Sequence, residues 1–213
     1  MTEDGPTLID LHPPRADMRA EVLAGLSRSP KSIPSKYFYD ARGSELFRQI
    51  THLPEYYLTR TESAIMDSHL DELAGLIGPG AAVIEFGSGT GEKIRRLLRH
   101  LHAPNACIPV EISREHLLQT ADGLARDFPA LEVVAICADF TRPFDLPKTG
   151  SRRNLVFFPG STIGNFSRSE AADFMALIRS VLGPGRALLI GVDLKKPVSY
   201  THLTLPTTDV GGG

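Results

Sequence analysis

Three features are scarce in this chain, and each scarcity argues against a class of protein. Only 2 of the 213 residues are cysteine, and both lie in apolar runs that predict buried strands, so neither a disulfide framework nor a zinc site is expected. The net charge is only −2 and the basic residues are scattered, so neither nucleic acid nor a membrane surface is an expected partner. No run of about 18 apolar residues predicts a transmembrane helix.

The N-terminal residues and the histidines carry little functional signal. Residues 1–17 are polar and proline-rich and lack the apolar core of a secretory signal, so a cytoplasmic protein is expected. The seven histidines show no ligand spacing beyond His100-x-His102, so no metal is expected. We take a monomer as the expected state.

The pattern of the chain divides it into four segments. Residues 1–30 predict a weakly ordered leader, and residues 31–80 predict helices separated by two aromatic loops. Residues 81–197 alternate apolar runs with helical periodicity, which is typical of a parallel sheet covered on both faces. Residues 198–213 lack the amphipathic helix that should follow the last strand, and they resemble a translated cloning adapter. We expect this tail to be non-native; a genuine polar tail is the alternative.

The predicted fold is therefore α/β, with a Rossmann-like doubly wound sheet that is mainly parallel. It is preceded by an N-terminal segment of helices and aromatic loops. Five strands are predicted, over residues 82–86, 107–111, 133–137, 155–158 and 187–191.

The glycine loop after the first predicted strand is the most informative motif. It reads Glu85-x-Gly87-x-Gly89-x-Gly91, and a helical pattern follows at once. Glycines allow left-handed dihedrals and a close approach of backbone to ligand. The spacing matches neither the G-x-G-x-x-G of dinucleotide sites nor the phosphate loop, and it favours S-adenosylmethionine as the cofactor. We expect Gly87, Ser88 and Gly89 to contact it.

Two charged residues flank this loop. Glu85 is expected either to hold the loop backbone or to meet the amine of the cofactor's methionine moiety. Lys93 is expected to reach the carboxylate of the same moiety. A lysine in the first turn of a helix is unfavourable for the helix dipole, which favours a ligand role for Lys93.

Acids also end the next two predicted strands. Glu111 ends the second strand, where a carboxylate can accept hydrogen bonds from both ribose hydroxyls; a solvated strand-end acid is the alternative. Asp139 and Phe140 follow the third strand, where the acid can bind the adenine amino group and the ring can flank the base. A turn aspartate beside a core phenylalanine is the alternative for this pair.

The segments around the fourth strand and before the sheet supply candidates for a methyl acceptor site. After the fourth strand comes Pro159 to Phe166, in which Thr162 and Asn165 are the candidate contacts. The amide carbonyl of Asn165 can accept a hydrogen bond from an amine without adding charge; a turn before the next helix is the alternative. Tyr39 and Tyr57, from the aromatic loops, can bind a carboxylate or screen a cation, or they dock the N-terminal helices.

These segments resemble class I S-adenosylmethionine-dependent methyltransferases, and more narrowly the histidine-specific family, whose members methylate the α-amino group of L-histidine in ergothioneine biosynthesis. The resemblance implies that Gly87, Lys93, Glu111 and the pair Asp139-Phe140 hold the cofactor. It also implies that Tyr57 and Asn165 contact the acceptor amino acid at the reacting amine. The segments that carry the resemblance are residues 35–44, 53–57, 85–93, 138–140 and 160–165.

The family pattern has parts that this chain does not match. The family has a further tyrosine after strand five and an acceptor-reading region beyond it, and its sheet has two more strands. The fifth strand, with Leu188 to Ile190, is therefore expected to be an exposed apolar edge. Three alternatives stay open: another amino acid or amine as acceptor, an inactive truncated fragment that only binds cofactor, and NAD-dependent oxidoreduction, which the glycine spacing disfavours.

Overall fold

The computed structural model describes residues 5–13, 17–38, 41–89, 91–182 and 186–194. Tyr39 and the predicted non-native tail 198–213 lie outside these residues. Within the described ranges, no helix is long and apolar enough to cross a membrane. In the same ranges, no group of three or more His, Cys, Asp or Glu side chains is arranged to hold a metal ion.

A parallel sheet of six strands forms the centre of the described structure. Its strands are Thr7–Asp10 (β1), Ala81–Phe86 (β2), Ala106–Glu111 (β3), Glu132–Cys137 (β4), Arg153–Phe158 (β5) and Ala187–Ile190 (β6). The order across the sheet is β1-β4-β3-β2-β5-β6, with every pair parallel. The chain runs outward from β2 through β3 to β4 and then returns to place β5 on the other side of β2. The strand order reverses between β2 and β5, which confirms the predicted doubly wound α/β class.

Six α-helices connect and cover these strands in the described residues. They are Met18–Leu26 (α1), Ala41–Ile50 (α2), Leu58–Ile77 (α3), Glu92–Leu98 (α4), Arg114–Asp127 (α5) and Arg168–Leu182 (α6). A capping box begins α6: the Ser167 amide donates to Glu170 Oε2 at 2.8 Å, and the Glu170 amide donates to Ser167 Oγ at 3.3 Å. These reciprocal bonds satisfy two donors that the helix itself leaves open.

Apolar side chains fill both faces of the sheet. All six residues of β2 are buried, and successive side chains point to opposite faces. Val83 lies in a cluster with residues of α3, α4 and α5, whereas Ile84 lies in a second cluster with residues of α6. Because both faces are covered, the central strands read as continuous apolar runs. The two cysteines lie buried in β3 and β4 as free thiols.

The N-terminal residues are more ordered than the sequence predicts. The sequence predicts a loose leader here, yet Thr7–Asp10 forms the edge strand β1 and pairs in parallel with β4. Leu8 packs against the first core cluster and Ile9 against the second. Met18–Leu26 follows as α1, and the Asp17 side chain caps this helix by accepting from the Ala20 amide at 2.9 Å.

The opposite edge of the described sheet is formed by β6. It pairs in parallel with β5, from Leu155 with Ala187 to Phe158 with Ile190. Three of its four residues are half-buried, because Leu189 packs against the first core cluster and Leu188 against the second. The described edge is therefore apolar but not fully exposed.

The aromatic residues near the N-terminal helices dock elements on one another. The Tyr37 hydroxyl donates to Glu21 Oε2 at 2.8 Å and so joins the first aromatic loop to α1. The ring of Tyr56 meets that of Phe47 edge-on at 5.8 Å, which joins the second loop to α2. Tyr37 and Tyr56 therefore dock the N-terminal elements on one another.

Candidate cofactor and acceptor site

The glycine loop lies at the carboxyl end of β2 and turns directly into α4. Gly87, Gly89 and Gly91 have φ values of 72°, 47° and 66°, the left-handed region that a residue with a Cβ avoids. The Gly91 amide donates to the Ser88 carbonyl at 2.8 Å and closes the turn. The Thr120 hydroxyl on α5 donates to the Gly89 carbonyl at 2.9 Å and anchors the loop from the side. The backbone is therefore held in the form that the sequence predicted.

Two buried polar atoms at this loop have no hydrogen-bond partner among the described residues. They are Glu85 Oε2 and Ser88 Oγ, and the two residues are only 2% and 5% exposed. Burial raises the pKa of the Glu85 carboxyl well above its usual range, and the positive charges of Lys93 and Arg95 oppose this only in part. Buried polar atoms are normally paired, so a ligand with donor groups and positive charge fits this position.

The acid after β3 is the predicted ribose contact. Glu111 is half-buried at the end of the strand, and its Oε1 accepts from the Ile112 amide at 2.8 Å. This bond turns the carboxylate back over its own backbone. Since a carboxylate has about four acceptor positions, the others stay available to a diol, and the ribose role remains a prediction.

The pair after β4 combines a turn and a ring packed beside the glycine loop. Asp139 Oδ1 accepts from the Thr141 amide at 3.0 Å and from its hydroxyl at 2.6 Å. The ring of Phe140 stacks on that of Phe86, with 5.7 Å between centroids and 4° between planes. A Cβ on Gly87 would lie 3.6 Å from the Phe140 ring. Phe140 is thus part of the aromatic core and also borders the loop, and its contact with the adenine base stays a prediction.

The segment after β5 forms a short 3-10 helix, Thr162–Asn165, at the same edge of the sheet. Ser161 precedes it with a φ of 55°, and the Gly164 amide donates to the Ser161 carbonyl at 2.8 Å. The Thr162 hydroxyl donates to the Pro159 carbonyl at 3.1 Å. Asn165 is the last residue of the 3-10 helix and is exposed. Its contact with the methyl acceptor stays a prediction.

An acid that the sequence analysis did not single out joins these segments. Glu62 of α3 forms an ion pair with Lys93 of α4 and accepts a hydrogen bond from the Gly160 amide at 2.6 Å. A Cβ on Gly160 would lie only 3.3 Å from Lys93 Nζ. The ends of β2 and β5 are therefore bridged at the point where the strand order reverses. A lone acid within a helical pattern gave no sequence signal for this role.

The predicted acceptor contacts before the sheet are only partly placed. Tyr57 is half-buried and lies at the N-cap position of α3, five residues before Glu62. That separation along a helix is about 7.5 Å, so Tyr57 lies on the element that reaches the strand ends. Tyr39 is outside the described residues.

The chain is an α/β protein of the class that binds a nucleoside at the carboxyl edge of its sheet. Three features define this class: a doubly wound parallel sheet, a glycine loop at its switch point, and acids at the ends of the next two strands. Comparison of whole folds agrees with this class. The solved structure of the magnesium protoporphyrin IX methyltransferase from Synechocystis PCC 6803, with bound S-adenosylhomocysteine, matches with a TM-score of 0.50 at 12% identity, over 78% of this chain and 74% of that one. At that identity the likeness concerns the fold alone.

The sequence comparisons identify the family. The family model of histidine-specific, S-adenosylmethionine-dependent methyltransferases matches residues 18–202. A histidine N-alpha-methyltransferase from Mycobacterium tuberculosis (strain CDC 1551 / Oshkosh) is 40% identical over 198 residues, which are 92% of this chain and 60% of that protein. One from Mycolicibacterium smegmatis is 42% identical over 183 residues, 84% of this chain and 56% of that protein. The chain belongs to this methyltransferase family, as the sequence motifs predicted, and spans 60% or less of these two relatives.

Proposed function

We propose that this chain carries the cofactor site and part of the acceptor site of an enzyme that methylates the α-amino group of L-histidine to trimethylhistidine. The observation that carries the proposal is the junction of the glycine loop and the segment after β5 on adjacent strands, with Lys93 Nζ beside Gly160. The family match and the names of the two mycobacterial relatives support histidine as the acceptor.

The described residues fit S-adenosylmethionine. The unpartnered Glu85 Oε2 and Ser88 Oγ offer polar contacts beside the glycine loop. The carboxylates of Glu111 and Asp139 lie at the ends of the next two strands. Glu111 would bind the ribose there, and Asp139 would bind the adenine amino group. When bound, this cofactor supplies a methyl group on a positively charged sulfur, which is already activated for transfer.

The acceptor side needs position more than strong base catalysis. The Asn165 carbonyl would accept one N–H of the neutral α-amine and leave the nitrogen lone pair directed at the methyl group, without a charge that favours the protonated amine. Thr162, whose hydroxyl hydrogen is already donated to Pro159, keeps acceptor capacity for the same ligand. Correct positioning of two reactants can lower a barrier by roughly 7–11 kcal/mol. We propose that Tyr39 and Tyr57 also contact the acceptor and help to position it, since a tyrosine hydroxyl can bind its carboxylate.

The direct test is a methyl-transfer assay on the chain as it stands. The chain is incubated with S-adenosylmethionine and histidine, and mono-, di- and trimethylated histidine are measured by mass spectrometry. Parallel reactions contain other amino acids and simple amines. Trimethylhistidine as the preferred product supports the proposal, whereas preferred methylation of a different acceptor contradicts the histidine assignment.

The same assay addresses the cofactor-only alternative. A folded chain that binds S-adenosylhomocysteine but methylates no acceptor would be the cofactor-binding part of such an enzyme without its activity. The short span of the chain relative to the two mycobacterial proteins is the observation that keeps this alternative in view. The monomeric state and the cytoplasmic location stay predictions.

A further inference from the structure

The carboxylate of Glu62 is the meeting point of four chain segments at the switch point of the sheet. It extends from α3, pairs with Lys93 at the start of α4, and accepts from the Gly160 amide after β5. The residue that follows β6 is Gly191, and a Cβ there would overlap Glu62 Oε1. The side chains of Lys93 and Glu62 are 26% and 19% exposed, so the pair is largely buried yet reachable from solvent.

We propose that Glu62 is a cofactor-binding residue that works with Lys93 to bind the amino-acid end of S-adenosylmethionine. Lys93 binds the α-carboxylate, and Glu62 binds the α-ammonium. This assignment rests on the proposed function and adds a contact that no part of the sequence pattern indicated.

The chemistry of the pair matches a zwitterion. An α-amino acid carries one negative and one positive group a few ångströms apart, and a lysine beside a glutamate presents the complementary charges. Each oxygen of Glu62 is engaged once, by Lys93 and by Gly160. Because a carboxylate has about four acceptor positions, Glu62 can keep both contacts and still accept from an ammonium group.

The same charge argues that the ligand is the cofactor and not the acceptor. A carboxylate beside an amine stabilises its protonated form and raises the pKa of the amine. The acceptor amine must lose its proton to attack, so Glu62 would hinder it. The α-amine of the cofactor takes no part in the reaction and is best bound as the ammonium ion. The position of Lys93 in the first turn after the glycine loop places the pair on the cofactor side.

The flanking glycines show that space has been left for this arrangement. Gly160 has a φ of 83°, and a Cβ at this position would lie close to Lys93 Nζ. A Cβ on Gly191 would overlap the carboxylate of Glu62. A side chain at Gly191 would thus displace the carboxylate of Glu62, and one at Gly160 would crowd Lys93.

The test is a calorimetric comparison of two ligands that share the adenosine group. S-Adenosylhomocysteine has the amino-acid end, and 5′-methylthioadenosine lacks it. Glu62→Gln keeps the size of the side chain and an oxygen for the Gly160 amide, but it removes the charge. We expect this variant to bind S-adenosylhomocysteine about ten- to hundredfold more weakly, as for the loss of a hydrogen bond to a charged group. Binding of 5′-methylthioadenosine should change less than about twofold.

The control removes a matched ion pair between the same two helices. Asp67 Oδ2 on α3 accepts from Arg96 Nη1 on α4 at 2.7 Å, five residues beyond Glu62 and away from the strand ends. Asp67→Asn should leave the affinity for both ligands unchanged. Gly191→Ala keeps the charge of Glu62 but displaces its carboxylate, and it should reproduce the selective loss, so the test does not depend on one variant.

Three results would overturn the proposal. If Glu62→Gln lowers the affinity for both ligands equally, Glu62 has a structural role. If the affinity for S-adenosylhomocysteine is unchanged, Glu62 does not contact this ligand. If the affinity rises, Glu62 competes with the ligand for Lys93. Failure of the proposed function looks different. Without a cofactor site, the unaltered chain would bind neither ligand, and a wrong acceptor would show only in the methyl-transfer assay.

Discussion

Replacing the last glycine of the loop by alanine tests the geometry on which the cofactor site depends. Gly91 has a φ of 66°, and a residue with a Cβ loses about 1–2 kcal/mol in that region. The new Cβ would lie 2.6 Å from Arg95 Nη1 and 3.0 Å from Thr120 Cγ2. Arg95 would have to move, and its 2.6 Å ion pair with Asp127, partly exposed and worth up to about 1 kcal/mol, would weaken.

The sum is a loss of about 1–3 kcal/mol in the free energy of unfolding for Gly91→Ala. Urea unfolding followed by circular dichroism measures it. The matched control is Gly75→Ala inside α3, where a Cβ meets nothing within 4 Å, so this variant should gain about 0.5–1 kcal/mol. Binding of S-adenosylhomocysteine should fall in the loop variant and stay unchanged in the helix variant. Equal stability changes in the two variants would refute the left-handed loop.

Three further substitutions test other parts of the account. Ser167→Ala should lower the free energy of unfolding by about 1 kcal/mol, measured by urea unfolding, because it removes the capping bond of α6, with cofactor affinity unchanged. Burial raises the folded pKa of Glu85 above its ordinary 4.5, so the stability of the unaltered chain should fall as pH rises from that value towards the raised one. Glu85→Gln should lack this fall and be the more stable protein near neutral pH, as urea midpoints at several pH values would show. Asn165→Ala should weaken histidine binding several-fold and leave S-adenosylhomocysteine binding nearly unchanged, in paired titrations; equal loss of both would contradict its acceptor role.

The strands of the central sheet were predictable because burial on both faces leaves a continuous apolar run. Ala81–Phe86 is the clearest case, since all six positions are buried. The glycine loop was predictable because its dihedrals demand glycine. The bounds of the five predicted strands differ from those of β2 to β6 by at most two residues.

The edge strand β1 was missed because only two of its residues carry an apolar signal. Leu8 and Ile9 stand in a polar, proline-rich segment, and pairing with β4 rather than local preference makes them a strand. Short strands at a sheet edge depend on such tertiary contacts.

Glu62 was missed for a related reason. Its environment is assembled from α3, α4 and the segments after β5 and β6, which are distant in sequence. An acid in the early part of a helix is ordinary because it suits the helix dipole, so nothing local distinguishes Glu62 from a solvated side chain. Phe140 shows the reverse case, in which a ring predicted at the ligand is also part of the core.

The central claim is that the carboxyl edge of the sheet, where β2 and β5 meet, binds S-adenosylmethionine. Hydrogen exchange of the backbone amides, with and without saturating S-adenosylhomocysteine, tests both the ligand and the place. The account predicts slower exchange in residues 87–89 and 91–93, around 139–141 and in 160–165. Unchanged exchange in a folded chain, or protection confined to other segments, would contradict it.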